Sequence, residues 1–216
     1  MVGRVVVAAA FVLALIPASR VEAQTITLGV KAGGNLAGIS TDEPLFRNRG
    51  SSRGFVGGGS LAIGLAELSV VQVEVLYSRR GFTFRQKGIG EVQVKTDYIE
   101  VPILLKGQWT PGQGVKSGIY VGAEILFEQK CALEGAGIGG ADELLCETAD
   151  PTLQRSSTDY GLVTGFEVVL PLGAIGLSIE GRYNYGLSNL STQNDAESIK
   201  SRVWTLMGGL VVPIKR

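Results

Sequence analysis

The sequence predicts an all-β protein, an eight-stranded antiparallel up-and-down barrel that spans a membrane. Three features lead to this fold class. Apolar and polar residues alternate in eight segments, the connections between the segments are short and long in turn, and an export-type segment precedes the first of them. A chain of 216 residues is long enough for a single domain of this kind.

The N-terminal residues have the pattern of a signal peptide. Arg4 precedes an apolar run from Val5 to Pro17, and Val21-Glu22-Ala23 places small residues before Gln24. A single membrane helix is disfavoured because the run is short and polar residues follow it. We therefore expect residues 1–23 to be removed near Ala23, leaving residues 24–216 as the barrel domain in an oxidising compartment outside the cytoplasm.

Strand periodicity is clearest within Asp97–Lys106. Ile99, Val101, Ile103 and Leu105 lie on one face, and the opposite face is a mixed one that tolerates charge, with Tyr98, Glu100, Pro102, Leu104 and Lys106. This period of two predicts a strand with one apolar face. The eight predicted strands are Thr25–Leu36, Gly54–Ala66, Leu68–Phe84, Val92–Gln108, Ser117–Lys130, Thr158–Leu170, Ala174–Ser188 and Arg202–Ile214.

Each of the other segments repeats this alternation, except the last. The apolar faces comprise Ile26, Leu28 and Val30 in the first; Leu61, Ile63 and Leu65 in the second; Val71, Val73 and Val75 in the third; Ile119, Val121 and Ile125 in the fifth; Phe166 and Val168 in the sixth; and Ile175, Leu177 and Ile179 in the seventh. Arg202–Ile214 is apolar on both faces, so the pattern leaves its register open.

The connections predict how the barrel is oriented. Three are short turns, at Glu67, Thr110–Gly114 and Pro171–Gly173. Four are predicted to be long, at Gly38–Arg53, Gly81–Glu91, Cys131–Ser157 and Asn189–Ser201. Because short and long alternate, all the long loops lie on one rim and all the turns on the other. Outer-membrane barrels have this asymmetry, with periplasmic turns and extracellular loops.

Composition narrows the possible chemistry. The chain contains no histidine, which excludes His-dependent catalytic triads and the common zinc sites. Twenty basic residues balance twenty acidic ones without a basic run, so nucleic acid is not an expected partner. No cofactor, metal or catalytic site is predicted, and we do not expect an enzyme.

Cys131 and Cys146 are the two cysteines of the chain and lie in the longest predicted loop. In an exported protein such a pair predicts a disulfide bond. A redox or metal site is less favoured, because the spacing is not C-x-x-C and no further ligands are near. Between them, Gly135–Gly140 lacks the flanking strand and helix of a phosphate-binding loop, which favours a flexible loop.

Charged residues recur on the predicted inner face. They share the parity opposite to the apolar face, and they are Lys31, Glu74, Arg80, Glu100, Lys106, Glu124, Glu167, Glu180 and Arg182. Carboxylates in pairs can perform acid–base chemistry. An eight-stranded barrel, however, has an interior just wide enough for side chains to fill. We therefore expect these residues to form an interior polar network that plugs the lumen.

Four stretches resemble the small outer-membrane β-barrel family, whose members are often described as porin-family or PorT-like: Gly29–Leu36, Glu74–Gly81, Asp97–Lys106 and Arg182–Ser188. The resemblance implies outer-membrane localisation, contact with lipid and with the barrel assembly machinery, and no catalytic residues. One departure is that the chain ends Val212–Arg216, where such barrels usually end in an aromatic residue.

The function expected from these patterns is a structural or surface-interaction role exerted through the extracellular loops, whose partner the sequence does not identify. Three further functions remain open. A secreted lipocalin-like barrel would bind a small apolar ligand, a narrow porin-type channel would conduct, and an outer-membrane enzyme would need an acid pair in place of histidine. The lipocalin-like barrel requires an apolar lumen and a polar exterior, the reverse of the predicted pattern.

Overall fold

Long antiparallel strands make up almost all of the structure. The computed structural model describes residues 25–40, 49–86, 90–112, 114–135, 144–146, 157–188 and 200–214. The predicted signal peptide 1–23 and most of Gly135–Gly140 lie outside these residues. The strands are β1 (Ile26–Ser40), β2 (Arg49–Ala66), β3 (Ser69–Gln86), β4 (Gly90–Gly112), β5 (Val115–Gly135), β6 (Leu144–Leu145), β7 (Thr158–Leu172), β8 (Ile175–Gly186) and β9 (Lys200–Ile214).

Within the described residues, the eight long strands close into a barrel. Neighbours in the chain pair antiparallel from β1 to β5, then β5 with β7, and onward to β9. Ile26 pairs with Ile214 and Ser40 with Lys200, so β1 and β9 are joined along their whole length. The two-residue strand β6 is an addition at the rim, paired only with β5. The predicted fold class is confirmed. No helix in the described part of the chain is long and apolar enough to cross a membrane.

The register of β9, which the sequence left open, is fixed by its pairing with β1. Val203, Thr205 and Met207 are buried, whereas Trp204 and Leu206 are each 64% exposed. Both faces of this strand carry apolar residues. Met207 packs with Val56 and Leu76 inside the barrel, and the adjacent Leu206 faces outward. Pairing rather than periodicity therefore decides which side chains enter the lumen.

The strands on the long-loop rim extend further than predicted. The sequence predicts a long loop at Gly81–Glu91, but β3 continues to Gln86 and β4 begins at Gly90, with Arg85 paired to Glu91 and Gln86 to Gly90. Similarly, β1 reaches Ser40 and β5 reaches Gly135. The physical reason is that the parts of the strands beyond the membrane have water on their outer face. They can therefore stay paired although their sequence lacks the alternation of apolar and polar residues.

The outer surface of the barrel is apolar. Exposed side chains include Val30, Val75, Ile103, Ile119, Val121, Leu162, Phe166, Leu206 and Leu210. Tyr183 and Trp204 pack against each other on this surface, with ring centroids 4.6 Å apart, and Phe55 and Tyr77 do so at 5.6 Å. These aromatic residues lie eight to eleven positions from the short-turn ends of their strands. An apolar band bordered by aromatic residues is the surface of a barrel that faces lipid.

We expect the substitution Val121→Arg to destabilise the barrel by about 2–4 kcal/mol, because Val121 is 57% exposed near the middle of the apolar band and lipid would surround the guanidinium. The free energy of unfolding is measured by urea titration in lipid vesicles. Val121→Leu, which keeps the position apolar, is the control. Equal stability of the two variants would contradict lipid contact at this face.

Candidate functional site

The nine charged residues predicted for the inner face all lie inside the barrel. Each is at most 7% exposed. They come from β1, β3, β4, β5, β7 and β8. The strand period of two places these side chains inside. In β3, for example, Glu74 lies between Val73 and Val75, whose side chains point outward, and Arg80 has the same parity as Glu74. The closed wall then turns one face of every strand toward a common axis.

Six of the nine form what we call the central cluster, together with Tyr120: Lys31, Glu74, Lys106, Glu167, Glu180 and Arg182. Lys31 Nζ lies 2.7 Å from Glu74 Oε1 and also pairs with Glu180. Arg182 Nη2 lies 2.7 Å from Glu74 Oε2 and also pairs with Glu180. Since β3 and β8 are four strands apart in the ring of eight, the Arg182–Glu74 pair spans the lumen.

Lys106 and Glu167 form the edge of the central cluster on the short-turn side. Lys106 Nζ lies 2.5 Å from Glu167 Oε2, and the second carboxylate oxygen is 4.0 Å from Lys31 Nζ. The cluster therefore contains three cations and three carboxylates. Opposite charges in this arrangement offset one another's loss of hydration, which a lone buried charge could not do.

Tyr120 joins these groups and was missed as a site residue by the sequence reasoning. Its hydroxyl contacts Glu180 and accepts from Arg182 Nε at 3.3 Å. Its ring lies beneath two cations, with Lys106 Nζ 5.3 Å and Arg182 Cζ 5.7 Å from the centroid. Tyr120 has the same parity as Glu124 in β5. That parity was the available signal, but Tyr120 carries no charge and so was not among the residues predicted for the network.

A second group, the loop-side cluster, contains Arg80, Glu100, Glu124 and Asn184. Arg80 Nε lies 2.7 Å from Glu100 Oε1, and its Nη2 lies 3.3 Å from Glu124 Oε2. Asn184 Nδ2 donates to Glu124 Oε2 at 2.7 Å. Asn184 was also missed, again because it is neutral. One guanidinium here faces two carboxylates, so this cluster is less balanced than the central one.

The barrel interior contains two cavities of very different size. A chamber of about 1060 Å³ opens at the short-turn rim and ends at Gln72, Lys106 and Glu167. A pocket of about 40 Å³ lies on the loop side, where Arg80 and Tyr98 are part of its lining. The two share no lining residue, and Lys31, Glu74, Glu124, Glu180 and Arg182 line neither.

The charged interior is not arranged as a metal centre. Among the residues that the structure describes, no group of three or more Asp, Glu or Cys is placed to hold a metal ion. Each carboxylate of the two clusters is instead engaged by a cation or by an amide or hydroxyl donor. The geometry is that of mutual neutralisation inside the wall.

The predicted disulfide bond is present at the long-loop rim. Cys131 and Cys146 are bonded, with their Cα atoms 5.4 Å apart. The bond holds β6 against β5, where Ala132 pairs with Leu145 and Leu133 with Leu144. β7 begins at Thr158, which pairs with Phe127 of β5. Further along β5, at Ala132 and Leu133, the pairing partner is β6 instead.

Comparison with known proteins identifies the barrel. Residues 22–192 match the family model described as outer membrane protein beta-barrel domain, which is more than half of the chain. The chain belongs to this family. Its localisation in the outer membrane follows from this membership together with the lipid-facing surface. A search of curated proteins gave no match.

Solved structures with the same architecture include small outer-membrane barrels. OprG from Pseudomonas aeruginosa is 13% identical, with a TM-score of 0.52 and coverage of 90% of this chain and 97% of that one. Neisserial surface protein A is 19% identical, with a TM-score of 0.48 and coverage of 86% and 96%. At 13% identity, the likeness to OprG establishes a shared fold only.

We expect Arg182→Met to destabilise the barrel by about 3–5 kcal/mol, because it leaves Glu74 and Glu180 buried with Lys31 as their remaining close cation. Adding Glu74→Gln should restore part of the loss by removing the excess negative charge. Stability is measured as the urea midpoint of refolded protein in vesicles.

The matched control is Arg79→Met. Arg79 pairs with Asp97 at 2.7 Å, but its side chain is 47% exposed, so the loss should be about 0–1 kcal/mol. Similar losses for Arg79→Met and Arg182→Met would argue against a stabilising network in the lumen.

Proposed function

We propose that this protein is a plugged, non-conducting outer-membrane barrel that carries its long connections at the cell surface, in a structural or surface-interaction role. The observation that supports the plug is the Arg182–Glu74 ion pair, which joins opposite strands across the lumen. The separation of the two cavities by the central cluster agrees with it.

An ion crossing this lumen would have to displace buried charges from their partners. Breaking a buried ion pair leaves an uncompensated charge and typically costs about 3–5 kcal/mol. A passage through the central cluster would disturb several such pairs, because Glu180 alone contacts Lys31, Tyr120 and Arg182. The narrow porin-type channel is therefore the less favoured function.

A lipocalin-like carrier and an outer-membrane enzyme fit the residues less well. The carrier requires an apolar interior and a hydrated exterior. Here Lys31 and Glu74 are buried while Val30 and Val75 are exposed, which is the opposite distribution. The proposal assigns no reaction, since the interior carboxylates are engaged by buried cations and by amide or hydroxyl donors.

The plug is tested by single-channel recording in planar bilayers with refolded protein. We expect no conductance steps from the unmodified protein, whereas Glu74→Ala combined with Arg182→Ala should produce them by removing the cross-barrel pair. Arg79→Ala, on the outer surface, is the control and should remain silent. Reproducible steps from the unmodified protein that scale with salt concentration would overturn the plug.

The surface role requires the long connections to face outward from the cell. The disulfide bond supports this proposal, because it holds β6 against β5 at the long-loop rim and so gives a partner a fixed point of contact there. Outer-membrane lipid, the barrel assembly machinery during insertion and a loop-binding partner are the interactions that the proposal entails. It also entails removal of the signal peptide near Ala23.

Orientation is tested by inserting a protease site within Asp142–Glu147 and, separately, within Pro111–Gly114. The first should be cleaved on intact cells because it lies on the long-loop rim. The second should be cleaved only after the envelope is opened, because β4 and β5 meet at the opposite rim, where Gly112 pairs with Val115. The reverse pattern of cleavage would contradict the proposed orientation.

A further inference from the structure

The inner face of the barrel is divided by side-chain size. In the clusters, the inward positions carry Lys, Arg, Glu and Tyr, which fill the lumen. Toward the short-turn rim most of the lining side chains are short: Thr25, Thr27, Ser60, Ala62, Gly64, Val70, Gly176, Val169, Val211 and Pro213. Gln108 and Lys116 are longer and also line the chamber; Gln108 lies nearer the rim than Lys106, and Lys116 lies at the start of β5. The chamber of about 1060 Å³ is the space that these short side chains leave.

The chamber has an apolar wall near its inner end. Val70 pairs with Lys106 across β3 and β4, and Val169 follows Glu167 by two positions on the same face of β7. Val211 lies close to Val169, since a Cβ built on Gly176 would be 2.6 Å from Val169 Cγ1 and 2.9 Å from Val211 Cγ2. Valine side chains thus lie next to the charged end of the chamber.

The inner end presents one cation and one anion side by side. Lys106 Nζ donates to Glu167 Oε2 and has further N–H donors. Glu167 Oε1 is 4.0 Å from Lys31 Nζ, beyond hydrogen-bond distance, so this oxygen retains its capacity to accept. Both residues are more than nine-tenths buried and line the chamber.

We propose that the chamber is a binding site for an α-amino acid with an apolar side chain. The ligand carboxylate accepts from Lys106 Nζ, the ligand ammonium donates to Glu167 Oε1, and the side chain lies against Val70, Val169 and Val211. An α-amino acid carries both charged groups on one carbon, which matches the short distance between the lysine and the glutamate.

The charge pattern selects a zwitterion over simpler ligands. A ligand with a carboxylate alone would be attracted by Lys106 but repelled by Glu167, and one with an ammonium alone would meet the reverse. A ligand with both groups adds two charge-assisted hydrogen bonds and leaves the neutral balance of the central cluster unchanged. Pockets for small ligands have this composition of apolar walls with a few polar groups that fix orientation. The inference does not depend on the proposed surface role.

The test uses the full barrel in lipid nanodiscs, with L-leucine as the probe and NMR of backbone amides as the readout. We expect saturable shifts at Gln72, Val70 and Val169. Leucinamide, which lacks the carboxylate, and 4-methylpentanoate, which lacks the ammonium, should each bind at least about tenfold more weakly, a difference of about 1.4 kcal/mol.

A second test compares two tryptophan substitutions, one inside the chamber and one on the outer surface. Ala62 pairs with Gln72 at the inner end of the chamber, so Ala62→Trp places an indole where the ligand would lie and should abolish binding. Leu61→Trp places the indole on the outer surface and should not affect binding. Val211→Trp with Leu210→Trp repeats the comparison should Ala62→Trp fail to fold, and folding is checked by heat-dependent migration in gels. No saturable shift with L-leucine, equal binding of the three probes, or retained binding in a folded chamber-filling variant would overturn the proposal.

Discussion

Closure of the wall between β1 and β9 is the constraint on which the rest of this structure depends. Lipid offers no hydrogen-bond partners to the backbone, so a strand with an open edge cannot lie in it. The pairing from Ile26–Ile214 to Ser40–Lys200 removes the last open edge. Once the wall is closed, each strand has one face toward lipid and one toward the lumen. The polarity of a water-soluble protein is thereby reversed, with Leu206 outside and Arg182 inside.

The charged interior follows from this reversal. Lumen positions do not meet lipid, so they accept groups that the outer face excludes. Because the lumen of eight strands is narrow, those groups lie close together, and the contacts of Glu180 with Lys31, Tyr120 and Arg182 satisfy them collectively. Burial that would be prohibitive for one charge is tolerated by a balanced set.

Periodicity in the sequence predicts which residues face inward, because alternation is a local property of each strand. Lys106 and Glu167 could be placed on the inner face in this way. That they contact each other could not, since their pairing depends on the stagger of strands that are not adjacent in sequence. Tyr120 and Asn184 have the same inward parity as the charged residues of their strands. They were not predicted as members of the network because they are neutral. The extension of β3 to Gln86 and the start of β4 at Gly90 also had no local signal, because no lipid imposes alternation there.

The strands differ in length, so the barrel wall is taller on one side than on the other. At about 3.3 Å per residue, the 23 residues of β4 are about 75 Å long, whereas the 12 residues of β8 are about 40 Å long. Tilted by about 40°, β4 rises well beyond an apolar band about 25 Å tall, and β8 rises only slightly beyond it. The side formed by β2, β3, β4 and β5, which have 18 to 23 residues each, therefore extends furthest beyond the apolar band. In the orientation proposed above, the ends of these strands lie further from the lipid headgroups on the outer side of the membrane than the end of β8 does.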